Sequence, residues 1–450
     1  MYVSAEVSPF AKVGGLADVA ASLPKALAAM GHDARVVTPD HGGRMTAAGA
    51  RAIASFDVPF LGRDEPAVVL TGELSPQVPV YFIANDSYFS EARVYGAAND
   101  LLRYHFFCRA ALELPKALDW RPDVINCNDW HTALVPFGLR NRAWNDAFYQ
   151  GAVSALTIHN LGYRGPDDVS DILCQGIFYA DVVNTVSPSY AREITTPEFG
   201  QGLHTLLQLR GERLYGIING LDVDLFNPET DPAIATHYSA AAPAGKAANK
   251  AALQQSLGLS TDPTALLAGM VTRLDYQKGV ELVLDSMERA VTELGMQFVV
   301  LGSGDPNYQQ RLQELAARRP GAIHAEFGFA AALAQQIYAG ADVFLMPSRY
   351  EPCGLGQLIS MRYGTVPVVR RTGGLADTVQ DAPPGLGSGT GFVFDDFGAE
   401  AMYATLQRAA AAFRQKAHWL TLVQRGMNQD LSWSAPARKY EEMYRVALKL

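Results

Sequence analysis

Cysteine is scarce in this chain: Cys108, Cys127, Cys174 and Cys353 are the only four in 450 residues. They are too scattered for a disulfide framework or a Cys-x-x-Cys metal site, which fits a reducing compartment. Positive charge is also in deficit, with 37 Lys and Arg against 46 Asp and Glu and a formal net charge of −9. That balance argues against a broad nucleic-acid or membrane-binding surface, since both partners would be repelled at long range. An anionic ligand therefore needs a local basic pocket. No apolar run is long enough to cross a bilayer. The chain opens on Met1 to Glu6, which reads at once as a strand and leaves no place for a leader, so a cytoplasmic protein is expected.

What is present is a large apolar fraction, 48% of residues against 18% charged, which describes a packed globular chain and excludes disorder as a general description. Its length exceeds what one hydrophobic core usually supports, so two or three domains are expected. Short β-type runs alternate with helix-length patterns from end to end, the signature of βαβ units and parallel sheets. One set runs through Ala34–Val37, Val80–Ile83, Val124–Cys127, Ala155–Ile158 and Val182–Val186. A second runs through Ala265–Val271, Gln297–Leu301, Ile323–Phe327, Val343–Met346, Val366–Val369 and Gly391–Phe394. The expected fold is α/β, two Rossmann-like doubly wound domains.

Between the two sets, Asn227 to Lys250 is rich in Ala and Pro with little periodicity. It places the expected boundary near residue 237, giving domains 1–236 and 237–432. The last stretch, 433–450, reads as one amphipathic helix with Tyr440, Tyr444 and Ala447 on a common face, expected to return to the first domain.

Three loops concentrate unusual residues. The first is Ser8-Pro9-Phe10-Ala11-Lys12-Val13-Gly14-Gly15-Leu16, between a strand and a helix. Glycines let backbone approach a phosphate closely, and Lys12 adds a positive charge beside the N–H groups. The loop is neither G-x-G-x-x-G nor a Walker loop, which argues against nicotinamide binding and NTP hydrolysis. The string Gly-Gly-Leu-Ala-Asp at 14–18 recurs at 373–377, each time after a strand and opening a helix. A helix start favours anions, although a shared packing solution would leave the same string.

The second loop is Arg273-Leu274-Asp275-Tyr276-Gln277-Lys278-Gly279. An Arg and a Lys outside the carboxyl end of a parallel strand suit a diphosphate leaving group, where solvated loop charges are the blander reading. The third is Pro347-Ser348-Arg349-Tyr350-Glu351-Pro352-Cys353-Gly354-Leu355-Gly356-Gln357. Glu351 precedes a proline, so its backbone is held extended, and Gly354 and Leu355 can offer N–H groups. A surface carboxylate and a small core cysteine are the alternatives.

Taken in order, K-V-G-G-L-A-D-V, N-D-W-H, T-I-H-N-L, T-V-S-P-S-Y-A-R-E-I, I-N-G-L-D, R-L-D-Y-Q-K-G, P-S-R-Y-E-P-C-G-L and R-R-T-G-G-L-A-D-T-V resemble the motif set of bacterial-type glycogen and starch synthases, spanning residues 12 to 379. The resemblance implies a GT-B fold with its active site in the interdomain cleft and the closing helix crossing back to the first domain. It also implies ADP-glucose as donor, an α-1,4-glucan acceptor, retention of the α configuration, and neither cofactor nor metal. Motif by motif, Lys12, Gly14, Gly15 and Asp18 would meet the phosphate and sugar region from the first domain. Asp129 and His159 would line the glucose side. Arg273 and Lys278 would hold the phosphates, with Asn219 nearby. Glu351 would bind glucose hydroxyls beside Cys353, and the Gly354, Leu355 and Gly374 segments would face the donor. Phe329 would supply a ring against the adenine, which needs only a π face.

The resemblance has departures. Gly162 and Arg164 stand where the family commonly has Ala and Gln, and the stretch from Gly165 to Ile177 is shorter than usual, which bears on acceptor preference. Where many other retaining GT-B transferases carry a second glutamate, this chain has Ile359. No lysine is marked for pyridoxal, as a phosphorylase would require. A catalytically silent homologue is disfavoured by intact Lys12, His159, Arg273, Lys278 and Glu351. Asp222-Val223-Asp224 resembles a D-x-D metal motif, but a structural turn is the better reading.

Overall fold

The computed structural model describes every residue except 144–145, 166–171 and 386. The chain divides into two compact units, Met1–Gly220 with Trp433–Leu450, and Leu221–Ser432.

Nine strands among the described residues form the first unit's sheet: β1 (Tyr2–Val3), β2 (Val36–Pro39), β3 (Ala52–Phe60), β4 (Arg63–Ser75), β5 (Val78–Ala84), β6 (Val124–Asn128), β7 (Val153–Ile158), β8 (Val182–Thr185) and β9 (Leu214–Gly216). Their order is β3-β4-β5-β2-β1-β6-β7-β8-β9. From β5 to β9 every pairing is parallel. All of these but the half-buried edge strand β9 are almost wholly buried, which is why they read as short unbroken runs such as Val36-Val37 and Val182-Val183.

The β3–β4 hairpin is antiparallel and was not anticipated. Its β3 strand is mostly exposed, so no buried run marks it. Its two-residue turn is Leu61-Gly62, both with positive φ, in place of the Asn-Gly or Asp-Gly pairs that signal such turns.

The closing helix Ser434–Ala447 packs on this unit. Trp433, Ala437, Tyr440 and Met443 share a core with Val36, Val80, Ala155 and Val182. The Asn184 amide donates to the Tyr440 hydroxyl at 2.9 Å, and the Tyr444 hydroxyl donates to Asn126 at 3.0 Å.

In the second unit, six strands among the described residues run β10 (Leu267–Val271), β11 (Gln297–Gly302), β12 (Ile323–Phe327), β13 (Val343–Met346), β14 (Val366–Arg370) and β15 (Phe392–Phe394). All pairings are parallel, in the order β12-β11-β10-β13-β14-β15.

The boundary lies earlier than expected. Residues 221–236 belong to the second unit, so the division falls between Gly220 and Leu221 and not at 236/237. The Leu221 N–H donates to the Leu431 carbonyl at 2.7 Å, and Leu221, Ile234 and Tyr238 enter the second unit's core. The Tyr363 hydroxyl anchors Asp231 at 2.6 Å, and the Asn249 side chain takes the Ala235 N–H at 2.9 Å. Low periodicity here marks an irregular surface strap held by polar side chains, not a linker. Gly220 is where the chain leaves the first unit, and a Cβ there would meet Trp433 at 2.7 Å.

Both sheets reverse their winding direction at one point, between β1 and β6 in the first unit and between β10 and β13 in the second. Ligands of open α/β sheets bind outside the carboxyl ends of strands at such points. The loops that follow β1, β6, β10 and β13 carry the chemistry-bearing motifs.

Candidate active site

In the second unit, the loop after β10 carries Arg273 and Lys278, and the loop after β13 carries Glu351. The Asp275 side chain caps the short turn Tyr276–Lys278. At Gly279, φ is +64° and a Cβ would fall 2.1 Å from the Pro347 carbonyl, so only glycine lets the two loops close. They meet through side chains: Lys278 Nζ lies 2.7 Å from Glu351 Oε2. The Ser348 hydroxyl donates to the same oxygen at 2.9 Å. Glu351 is 4% exposed, so this carboxylate has exchanged water for a cation and a hydroxyl.

Arg273 is half-exposed and pairs with Asp275 at 2.9 Å, so its guanidinium stays at the surface of the switch point. Arg349, between these motif residues, has a packing role. Its guanidinium is 3.9 Å from the Tyr276 ring and 3.8 Å from the Phe397 ring, and it pairs with Glu281 at 2.7 Å.

Gln357 locks the loop after Glu351. Its amide donates to the Cys353 and Gly354 carbonyls, each at 2.9 Å, and to the Thr378 hydroxyl at 3.1 Å. Gly354 has φ +73° and Leu355 precedes the helix Gly356–Arg362. Cys353 is buried, and a Cβ on Gly374 would lie 2.2 Å from its carbonyl oxygen. The Gly374 N–H donates to the Glu351 carbonyl at 3.0 Å. Gly374 thus serves close packing, and its amide is committed to the Glu351 loop instead of to an anion. Phe329, after Gly328 in the loop beyond β12, is 88% exposed, an unburied ring with no packing role.

In the first unit, Lys12 Nζ pairs with Asp18 at 2.6 Å across the start of helix Gly15–Ala29. Gly14 and Gly15 are exposed. The Gly14 N–H, however, donates to Glu6 Oε2 at 3.1 Å, so it is engaged from behind.

Asp129 follows β6 with φ +54°, and it is turned inward. Its Oδ1 accepts the backbone N–H groups of His159 at 2.7 Å and Asn160 at 3.3 Å. Burial is the main cause that pushes its carboxyl up to about 7, against those two hydrogen bonds. In this geometry it supports the T-I-H-N loop.

His159 Nε2 is 2.9 Å from Asn128 Oδ1, an oxygen that also accepts from the Tyr2 hydroxyl at 2.9 Å, while Asn128 Nδ2 donates to the Val3 carbonyl at 2.8 Å. That fixes the amide, so Nε2 carries the proton. Burial lowers the imidazole to about 3, so His159 is neutral at working pH.

Asn219 lies in the first unit, apart in the chain division from Arg273 and Lys278. It is 6% exposed and its Oδ1 has no hydrogen-bond partner. Asp222 Oδ1 accepts the Leu225 N–H at 3.1 Å, a turn. Among the described residues no group of three or more His, Cys, Asp or Glu is placed to hold a metal ion. The shortened stretch from Gly165 to Ile177 falls largely on 166–171, outside the described residues.

Glu6 and Tyr95 lie outside every motif, and Asn128 and Gln357 lie inside motifs that give them no role of their own. The one signal in the sequence was Glu6, a lone carboxylate in the apolar opening run.

Two doubly wound α/β units with charged loops at both switch points define a GT-B-like glycosyltransferase. Residues 1–209 match the starch synthase catalytic domain family, and residues 252–412 match the glycosyl transferases group 1 family. A glycogen synthase of Geotalea daltonii is 43% identical over 100% of this chain and 98% of its own length. Glycogen synthase 2 of Geobacter sulfurreducens is 44% identical over 99% and 98%. The catalytic domain of starch synthase IV from Arabidopsis thaliana, solved with ADP and acarbose, superposes with a TM-score of 0.90 at 33% identity, covering 100% of this chain and 99% of that one. The chain belongs to the glycogen and starch synthase family. No helix among the described residues is long and apolar enough to cross a membrane.

Proposed function

We propose that this synthase transfers glucose from ADP-glucose to the non-reducing end of an α-1,4-glucan with retention of configuration, using neither metal nor cofactor. The observation that carries the reading is the Lys278–Glu351 contact at 2.7 Å, which sets a cation and a carboxylate side by side at the switch point. As the anomeric C–O bond stretches, negative charge grows on the diphosphate and positive charge on the sugar. Lys278 and Arg273 stabilise the first, and Glu351 holds glucose hydroxyls.

Glu351 is already bound to an ammonium and a hydroxyl, which makes it a poor nucleophile, and Ile359 stands where a second glutamate would serve. The exposed Phe329 ring suits stacking on a purine. Neutral His159 has an Nδ1 lone pair to accept from a sugar hydroxyl. ADP and acarbose in the Arabidopsis enzyme support a nucleotide and a glucan as ligands. The net charge of −9 supports no nucleic-acid or membrane partner.

Incubation with glycogen or a maltooligosaccharide and either ADP-glucose or UDP-glucose, followed by nucleotide release and polymer growth, tests the reading. ADP-glucose should be used at least about tenfold more efficiently, a difference of about 1.4 kcal/mol in barrier. EDTA should leave the rate unchanged, because Arg273 and Lys278 supply the charge a metal gives elsewhere. Equal use of UDP-glucose overturns the donor assignment. Loss of activity in EDTA, restored by magnesium or manganese, would overturn the metal-free reading and reopen Asp222 and Asp224 as candidate ligands.

A further inference from the structure

The first unit holds a carboxylate that none of the motifs above employs. Glu6 lies just beyond β1 and is 1% exposed. Its Oε2 accepts the backbone N–H groups of Val13 at 2.5 Å and Gly14 at 3.1 Å. The Tyr95 phenol is close enough to the same carboxyl group to be pushed well above its usual range, by burial first and then by the Glu6 charge.

Val13 and Tyr95 both line an open cavity of about 420 Å³, whose other lining includes Lys12, Arg44 and Arg93. This is a local basic pocket in an acidic chain. Glu6 joins the two segments, 12–14 and 92–95, that bring Lys12 and Arg93 to it. Upstream the loop is pinned by the paired Val7 and Ala11 backbone groups and by the Ser8 N–H on the Ala17 carbonyl, while Lys12 itself has the exposed pair with Asp18 and Arg44 a 3.4 Å contact to the Phe10 carbonyl.

We propose that Glu6 is a positioning residue for glucosyl transfer: ionised, it holds the Lys12–Gly15 loop and Tyr95 in the arrangement that receives the anionic oxygens of the substrate. This rests on the transfer reaction proposed above. The two backbone bonds are charge-assisted only while the carboxylate is ionised. Burial, the largest cause, pushes the group up to about 7 in spite of the Val13 and Gly14 hydrogen bonds, and the Asp18 charge adds to the rise. Asp129 also feels the Glu6 charge, and so do Tyr95 and Tyr104. The loop is therefore clamped above neutral pH and loosened below it.

The test is the pH profile of kcat and kcat/KM for wild type, Glu6→Gln and Glu6→Ala, with melting temperatures to exclude unfolding. Wild type should lose kcat/KM as pH falls through about 7. Glu6→Ala should lose about 100-fold in kcat at pH 8, the scale of a misplaced catalytic loop, and should bind ADP more weakly as well. Glu6→Gln keeps the size and one acceptor oxygen. It should lose less, about tenfold, and its acid limb should move to lower pH, because both the Glu6 titration and its repulsion of Asp129 are gone. An acid limb in Glu6→Gln that superposes on wild type overturns the proposal, as does wild-type kcat in a folded Glu6→Ala. Absence of any transfer by wild type refutes the reaction itself and this assignment with it. An active wild type with indifferent variants refutes Glu6 alone.

Discussion

Removing the Lys278 side chain should cost the second unit stability as well as turnover, and the two losses can be separated. The side chains of Lys278 and Glu351 are 16% and 5% exposed, and their charged atoms are 2.7 Å apart. Deleting one member of such a pair leaves an uncompensated buried charge, typically worth about 3–5 kcal/mol. The Ser348 hydroxyl still binds Glu351 in Lys278→Ala, which puts the expected loss at the low end, about 3 kcal/mol.

For a unit of this size that is a fall of about 6–12 °C in melting temperature. Glu351→Gln removes the buried charge and leaves an ammonium nearer to water, so it should cost less. The double variant Lys278→Ala/Glu351→Gln should recover about 2 kcal/mol relative to Lys278→Ala alone. Denaturant melts of the four proteins complete the cycle. Turnover should not follow stability: Lys278→Ala and the double variant should both remain down by roughly two orders of magnitude, as for a lost transition-state donor. Glu351→Gln should keep most of its ADP affinity while losing transfer. A coupling below about 0.5 kcal/mol would refute the buried-pair reasoning. Recovery of turnover in the double variant would refute the leaving-group role of Lys278.

Arg273→Ala should also lose roughly two orders of magnitude in turnover, but with almost no change in melting, because its pair with Asp275 is half-exposed and such pairs contribute about 0–1 kcal/mol; near-normal turnover would remove Arg273 from the site. The buried carboxyl groups make a separate prediction for stability against pH. Glu6 is raised from 4.5 to about 7, so the folded state holds a proton that the unfolded chain has released. Its contribution favours the fold at low pH and is lost as pH rises from 4.5 through 7, on the order of 3 kcal/mol in all. Glu6→Gln should therefore melt higher than wild type at pH 8 and near it at pH 5, while being the poorer enzyme; a lower melting temperature at pH 8 would show that the carboxylate is a net structural asset.

The architecture was legible wherever burial on both faces imposed continuous apolar runs. Val182-Val183, Phe298-Val299-Val300 and Val343-Phe344-Leu345 could be placed because parallel strands flanked by helices leave no polar alternation. The same rule explains the miss at β3 and β4, whose exposed residues and Leu61-Gly62 turn carry neither signal. The boundary was misplaced because composition reports irregular backbone without reporting which core it lies on. Residues 221–236 are irregular and still contribute Leu221 and Ile234 to the second unit's interior.

The candidate site residues could be read as types and loops but not as partners. Arg273, Lys278 and Glu351 stood out because charge at the end of an apolar strand has few structural uses. Nothing in the sequence told that Lys278 and Glu351 would pair, since that depends on Gly279 passing 2.1 Å, by an added Cβ, from the Pro347 carbonyl. Asp129 stood out equally, and its neighbour Asn128 did not, yet Asn128 sets the His159 tautomer and Asp129 holds the backbone of the same loop.

The repeated Gly-Gly-Leu-Ala-Asp string makes the limit sharper. Both copies do what the letters require, turning a strand into a helix start. At 14–15 the glycines are exposed, and the amide of Gly14 is taken by Glu6, a side chain from upstream. At 373–374 they are buried, and the amide of Gly374 is taken by the backbone of Glu351, with no room for a Cβ beside Cys353. Small residues at a helix start create N–H groups that something must satisfy. Whether the partner is a substrate anion, a carboxylate or a carbonyl is decided by what else reaches that point. In the first unit the answer is a titratable acid beside a basic pocket, and in the second a fixed carbonyl. The first copy can therefore respond to pH and to an approaching anion, whereas the second holds the Glu351 loop still.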